Sequence, residues 1–352
     1  MFRRPRFWCS TRPAINRRRW LIAALLIAVF TLPNLLAYFH ARAMTKFSPA
    51  GARTAAPENL SLADKTWLLA TGVTLRRPTN QRTPQNAGVD YETEHLYASG
   101  LPALEIWRIP GASSSRPIVV MFHGYGSCKS ELLAEALVFH EFDCDTILVD
   151  FRGSGGSDGN ETTLGVHEAK DVARAFEFAR ASAPGRPIVL YGKSMGSAAI
   201  LRAVATGQAV PDGIIVECPF DRLLSTVENR FSAMNLPSFP MARLLVFWGG
   251  VQLGMNGFDH NPVEYAARVK CPTLLLHGER DVRVTVPEIR SIYDCLAGEK
   301  ELVLFPDAGH ESYLEVDSER WRKAVCAFCA QIDQANRKNG PRTNAGSAKS
   351  WP

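Results

Sequence analysis

Between residues 91 and 332, short apolar segments rich in β-branched residues alternate with stretches of helical periodicity, and few architectures accommodate that order. The extended segments are 104–109, 118–122, 146–151, 188–191, 213–216, 273–276 and 301–305; the helical ones are 129–142, 166–182, 195–207, 286–296 and 317–332. The inner strands are apolar throughout rather than alternating, as strands are when both faces of a sheet are covered. The pattern therefore predicts an α/β domain over 91–332, with a mostly parallel central sheet and helices on both sides. The rhythm pauses once, at 221–268, where Pro237, Pro240, Gly249, Gly250, Gly254 and Gly257 interrupt an apolar stretch. Such an insertion is expected over the carboxyl edge of the sheet, the side on which open α/β sheets bind ligands.

Ahead of this domain, Trp20 to Phe39 form twenty residues of which only Thr31, Pro33 and Asn34 are not apolar. At about 1.5 Å per helical residue, such a block crosses a hydrocarbon layer about 30 Å thick. The chain then divides into a basic segment (1–19), a transmembrane helix or signal anchor (20–41), a polar membrane-proximal linker (42–90) with one short helix near 62–69, the domain, and an unstructured tail (333–352). Residues 1–19 hold seven arginines and no acid, so the positive-inside rule predicts a cytoplasmic amino terminus and an extracytoplasmic domain. The alternative is a secreted protein, released by cleavage at Ala41-Arg42-Ala43 of a signal peptide centred on 21–30. Removing the seven arginines from the 40 basic residues leaves 33 against 35 acidic ones. A near-neutral body lacks the footprint of a nucleic-acid binder.

Seven cysteines follow the apolar block, an odd number that cannot pair completely within one chain. Cys326 and Cys329 form a C-x-x-C on a helical face with Trp321, Val325, Phe328 and Ile332, and no second ligand pair has the spacing of a zinc site. Gly192-Lys193-Ser194 resembles the end of a phosphate-binding P-loop, but Pro187 stands where that motif requires glycine. The glycines of 153–156 follow a strand, yet Asp158 replaces the third glycine of a dinucleotide fingerprint. Neither a metal nor a cofactor is expected.

Directly after the strand at 188–191 stands Gly192-Lys193-Ser194-Met195-Gly196, followed by a helix-forming run. A G-x-S-x-G between strand and helix is a tight turn that lifts the serine hydroxyl into a cleft. It also sets Ser194 at a helix amino terminus, where the Met195 amide can meet a developing negative charge. His123-Gly124-Tyr125-Gly126 ends another strand, and its glycines allow the Tyr125 amide to serve as the second donor of an oxyanion hole. A serine nucleophile needs a base and an acid that orients the base. His310, in Asp307-Ala308-Gly309-His310, follows the last strand; Asp281, in His277-Gly278-Glu279-Arg280-Asp281, follows the strand before it. The order serine, acid, histidine is the one expected for this architecture. Glu217 is the second candidate for the acid, with Glu279 and Asp221 behind it; His123 is expected to brace its loop, and His167 and His277 to be structural.

With these segments in order, the chain resembles the α/β-hydrolase superfamily over about residues 95–332. It is most similar to the monoglyceride-lipase-like and serine-aminopeptidase-like branch, which includes membrane-anchored forms. The residues that carry the resemblance are 123–126, 150–157, 192–196, 277–281 and 309–310. It implies Ser194 as nucleophile, Asp281 and His310 as its partners, the Tyr125 and Met195 amides as the oxyanion hole, and 221–268 as a cap. The expected activity is that of a serine hydrolase cleaving an ester, a carboxylester or lipid-like small molecule, through an acyl-enzyme. Leu236, Phe239, Leu244, Leu245, Phe247 and Trp248 make the cap apolar, as an acyl chain requires. An amidase or serine peptidase on the same triad, and a non-catalytic membrane-tethered binding protein, are the alternatives.

Overall fold

The computed structural model describes residues 17–50, 54, 61, 63–64, 67–68, 72–113 and 115–339. Half of the short helix expected near 62–69 and all of 340–352 lie outside them. The first element is the helix α1 (Arg17–Thr45); an 18-residue stretch within its Arg19–Thr45 portion has a mean hydropathy of 2.2, long and apolar enough by composition to cross a membrane.

The domain is an eight-stranded sheet: β1 (Glu92–Ala98), β2 (Leu101–Ile109), β3 (Ile118–Phe122), β4 (Asp145–Val149), β5 (Ile188–Lys193), β6 (Gly213–Glu217), β7 (Thr273–Gly278) and β8 (Lys300–Phe305), in the spatial order β1-β2-β4-β3-β5-β6-β7-β8. The strands from β4 to β8 run parallel, and the β1–β2 and β2–β4 pairings are antiparallel. The helices α2 (Leu133–Glu141), α3 (Glu168–Ser182), α4 (Met195–Ala205), α5 (Leu223–Ala233), α6 (Met241–Leu253), α7 (Pro262–Ala266), α8 (Val286–Cys295), α9 (Tyr313–Val316) and α10 (Ser318–Asn339) complete it.

Successive residues of the inner strands enter two different cores, because side chains alternate across a pleated sheet. Val120, Phe122, Leu190, Ile214 and Val216 pack with Val172, Phe176, Ala198, Leu201 and Ile289 of α3, α4 and α8. Val119, Met121, Val189, Tyr191 and Ile215 pack with Leu133, Phe139, Trp321, Val325 and Phe328 of α2 and α10. The inner strands are thus apolar on both faces through their central residues, the feature by which the sequence disclosed the sheet.

Three segments differ from expectation. Strand β1 escapes a hydrophobicity reading because its residues, Glu92-Thr-Glu-His-Leu-Tyr-Ala98, are mostly exposed; it is held by its register against β2 and by Arg108, which lies 2.9 Å from Glu94 and 3.2 Å from Glu92. Helix α10 runs to Asn339, seven residues into the segment expected to be unstructured, with Asp333 buried and paired to Arg337 at 2.9 Å and to Arg116 at 3.7 Å. Residues 45–48 and 75–77, expected in a linker, are bound to the domain. The Phe47 amide donates to the Asn160 carbonyl at 2.7 Å, the Thr162 amide to the Thr45 carbonyl at 2.9 Å, and Phe47 is buried. Arg77 donates to the carbonyls of Gly155 at 2.8 Å and Ser157 at 2.5 Å. Backbone polar groups that find partners in this way hold a polar segment in place without an apolar pattern to announce it.

Candidate active site

Ser194 occupies the turn between β5 and α4 with φ 53° and ψ −111°, a conformation that L-residues rarely adopt. Neighbouring strands maintain it. The Ser194 amide donates to the Glu217 carbonyl at 2.8 Å, and the Ser197 hydroxyl bridges the carbonyls of Gly192 at 2.7 Å and Glu217 at 2.8 Å. A Cβ at Gly196 would stand 2.3 Å from the Phe122 carbonyl oxygen, so only glycine lets α4 start this close to β3.

Loops after β7 and β8 bring two more side chains to the serine. His310 Nε2 lies 3.1 Å from the Ser194 hydroxyl, and His310 Nδ1 lies 2.6 Å from Asp281 Oδ2. The other oxygen of Asp281 accepts the amides of Arg283 at 2.8 Å and Val284 at 3.0 Å, which fixes the carboxylate. Burial alone pulls the imidazole pKa down, but Cys218 beside it and the bond to Asp281 outweigh burial and push it up to about 9. Burial likewise disfavours the charged Asp281, yet its bond to His310 and the imidazole charge hold the carboxyl below its ordinary value.

The structure brings the expected residues Ser194, His310 and Asp281 into one chain of contacts, and leaves the other acids outside it. Glu217 is fully buried, accepts the Trp321 indole N–H at 2.6 Å, and has its pKa raised to about 7, chiefly by burial. Glu279 is exposed, and Asp221 lies 3.8 Å from Arg222. The loop 123–126 approaches the serine closely: a Cβ at Gly124 would lie 3.7 Å from Ser194 Cβ. Met195 is the first residue of α4, where amides have no intrahelical acceptor. His123 braces its loop, with Nε2 accepting the Phe151 amide at 3.1 Å and Nδ1 2.8 Å from the Gly124 carbonyl.

Sequence reasoning missed two groups. Cys218, at φ 39° and fully buried, brings its sulfur within 4.8 Å of the facing Asp281 and His310 atoms. Only its place at the end of β6 signalled this. The second group lies under the loop: Lys129, completely buried, reaches Asp150 Oδ2 at 2.5 Å and Glu105 Oε1 at 2.6 Å and sits 4.3 Å above the Trp107 ring. The Asp150 carboxylate also accepts from the Lys129 amide at 2.8 Å, the Asn80 side chain at 2.8 Å and the Gly156 amide at 2.9 Å. A Cβ at Gly155 would stand 1.8 Å from Asp150 Oδ2 and one at Gly156 2.1 Å from Glu105 Oε2, so these two glycines let the loop wrap the carboxylates that Lys129 pairs with. Arg152 then forks onto Asp171, at 2.9 and 2.6 Å.

A cavity of about 620 Å³ opens onto Ser194 and His310. Its wall is mixed: Met44, Leu68, Val73, Leu75 and Leu132 are apolar, while Glu131, Glu135, Glu315, Lys193, Arg82, Arg230 and Arg283 carry charge. The apolar residues expected to hold an acyl chain are not there. Leu236, Phe239, Leu244, Leu245, Phe247 and Trp248 are absent from the lining, to which the insertion between β6 and β7 contributes Arg230. Phe239 and Phe247 face outward instead, and Trp248 packs against α1. Beside Leu132, the cavity's apolar side comes from the chain before β1, including Met44 near the end of α1.

The chain has the α/β-hydrolase fold. Residues 113–246 match the family described as serine aminopeptidase, S33. An esterase of Pyrococcus furiosus, Pf2001, superposes with a TM-score of 0.62 at 23% identity, covering 72% of this chain and 96% of that one. The yeast uncharacterized membrane protein YNL320W is 23% identical over 236 residues, 67% of this chain and 78% of its own length. The zebrafish lysophosphatidylserine lipase ABHD12 is 22% identical over 209 residues, 56% of this chain and 51% of its own.

Proposed function

We propose that the protein is a membrane-anchored serine hydrolase that cleaves a carboxylester, lipid-like in character, through an acyl-enzyme on Ser194. The observation that carries this reading is the continuous contact from the strained Ser194 hydroxyl through His310 to Asp281, at 3.1 and 2.6 Å. His310 takes the serine proton as the hydroxyl oxygen attacks the carbonyl carbon; Asp281 holds the imidazole in the tautomer that accepts at Nε2 and stabilises the imidazolium. The amides of Tyr125 and Met195 receive the charge on the carbonyl oxygen. His310 then returns its proton to the departing alcohol, and water, activated by the same imidazole, releases the acid.

Ester chemistry is favoured by the relatives named as an esterase and a lysophosphatidylserine lipase, and by a cavity that begins at Met44. A peptide or amide substrate is the second reading. It is supported by the serine aminopeptidase description of the matching family and by three glutamates in the cavity wall, which suit an ammonium group. The anchor reading is supported by α1 itself and by the burial of Ala41, one residue of the candidate cleavage site Ala41-Arg42-Ala43, against α6. The orientation that follows from the arginine asymmetry places the domain outside the cytoplasm.

Labelling with a fluorophosphonate probe tests the nucleophile: the wild type is expected to label and Ser194→Ala not to. Folded protein that labels equally in both forms would end the proposal. A panel of aryl esters of rising chain length, set against aminoacyl anilides, separates the two substrate readings.

A further inference from the structure

The insertion between β6 and β7 contains 25 residues, 234–258, in which Arg243 is the only charged side chain. Its helix α6 does not roof the cavity. It lies against α1: the Trp248 indole donates to Asn34 Oδ1 at 3.1 Å, the Gln252 amide donates to the Tyr38 carbonyl at 2.8 Å, and the Tyr38 and Trp248 rings meet edge to face at 5.5 Å. The backbones approach closely, since a Cβ at Gly249 would lie 3.9 Å from that of Ala41, and Ala37 and Ala41 are both buried.

Depth along α1 makes this packing informative. Asn34 and Tyr38 belong to the apolar block that ends at Phe39, and at about 1.5 Å per residue Asn34 stands about 8 Å inside its end. The residues of α6 that touch them are therefore level with the outer acyl chains whenever α1 spans a bilayer. Asn34 would be a polar side chain in hydrocarbon, and α6 supplies its partner, the usual arrangement between membrane helices. Side chains of α6 that face away from the domain continue the apolar surface of α1. Phe247 is 48% exposed and Val251, one turn on, 55%; on α1 at the same level Leu35 is 55% exposed and Phe39 61%, and Phe239, just before α6, is 74% exposed. In water this continuous surface would be costly.

We infer that α6 with Phe239 is a second membrane-immersed element, buried in the lipid leaflet beside α1, and that it seats the domain with its cavity at headgroup level. The occupant of the apolar face is lipid. The inference rests on reading α1 as an anchor and also says how the substrate arrives. Met44 lies near the end of α1 and lines the cavity, and the Tyr125 hydroxyl donates to its carbonyl at 2.5 Å, so the site stands next to the leaflet that α6 enters. An amphiphilic ester then reaches Ser194 from the membrane without passing through water.

The test uses the full chain in phosphatidylcholine vesicles, with Cys9, Cys271, Cys295 and Cys326 changed to serine and an environment-sensitive fluorophore on one introduced cysteine. Labels at Phe239→Cys and Phe247→Cys are expected to shift to the blue and to be quenched by acyl-brominated phosphatidylcholine, like a label at Val29→Cys within α1. A label at Val210→Cys, exposed at the opposite edge of the sheet, is expected to do neither. Quenching at 29 but not at 239 or 247 would overturn the inference and leave the anchor; no quenching at any site would remove both. A functional arm replaces Phe239, Phe247 and Val251 together by serine. Hydrolysis of a long-chain ester carried in vesicles should fall several-fold, with a soluble short-chain ester unaffected. Equal rates on the vesicle ester would overturn membrane delivery. A wild type inactive on both esters would defeat the catalytic reading alone, because the fluorescence does not depend on catalysis.

Discussion

At Ser194 two demands meet: a backbone held at φ 53° and a base within reach of the hydroxyl. Since the proposed base must be neutral to accept a proton, a raised imidazole pKa confines activity to higher pH. The acidic limb of kcat/KM is expected above the ordinary histidine value of about 6.5, rising with pH. In Asp281→Asn the carboxylate charge is lost while burial persists, so the limb should move to lower pH as kcat falls by about 10⁴. A pH–rate profile with the limb unmoved would show that Asp281 does not act on His310. Gly196→Ala tests the turn itself. Its methyl would stand 2.3 Å from the Phe122 carbonyl oxygen, and separating β3 from α4 should lower the melting temperature together with activity. A Gly196→Ala protein as stable and active as the wild type would contradict the proposed need for close approach.

Among the elements, the loop between β4 and α3 is held in place by polar contacts without any apolar pattern. Its foundation is the Lys129–Asp150 pair, with both side chains at 0% exposure. Lys129→Met would leave Asp150 charged and unpaired, a loss of about 3–5 kcal/mol for a broken buried pair. Urea denaturation should show a lower midpoint with an unchanged slope; an unchanged midpoint would mean that the glycine and asparagine donors suffice for the carboxylate. The wider lesson concerns where sequence patterns stop. Strand β5 and the turn at Ser194 were legible from apolar residues and glycine spacing. Lys129 was not, because a lysine in a sequence gives no sign that its ammonium will be enclosed by Glu105 and Asp150, 24 and 21 residues away.

For the whole molecule, α1 and the domain form one packed body. Residues 45–48 are bonded to the loop near Asn160, and α6 lies along α1. Full-length protein is therefore expected to stay in the membrane pellet through extraction at alkaline pH. Release into the supernatant would indicate cleavage of the amino-terminal segment and loss of these contacts.

The amino-acid sequence by itself determined the parallel sheet, the order of serine, acid and histidine at its strand ends, and an apolar block long enough to span a bilayer. These are properties of local periodicity and composition. Tertiary structure decided which carboxylate among four faces His310, that Cys218 lies beside it, and that the apolar insertion turns toward α1 rather than into the cavity. The physical reason is that an amphipathic or apolar segment specifies only that some surface must cover it. Which surface does so depends on elements brought together from more than 200 residues away, as Trp248 and Asn34 are.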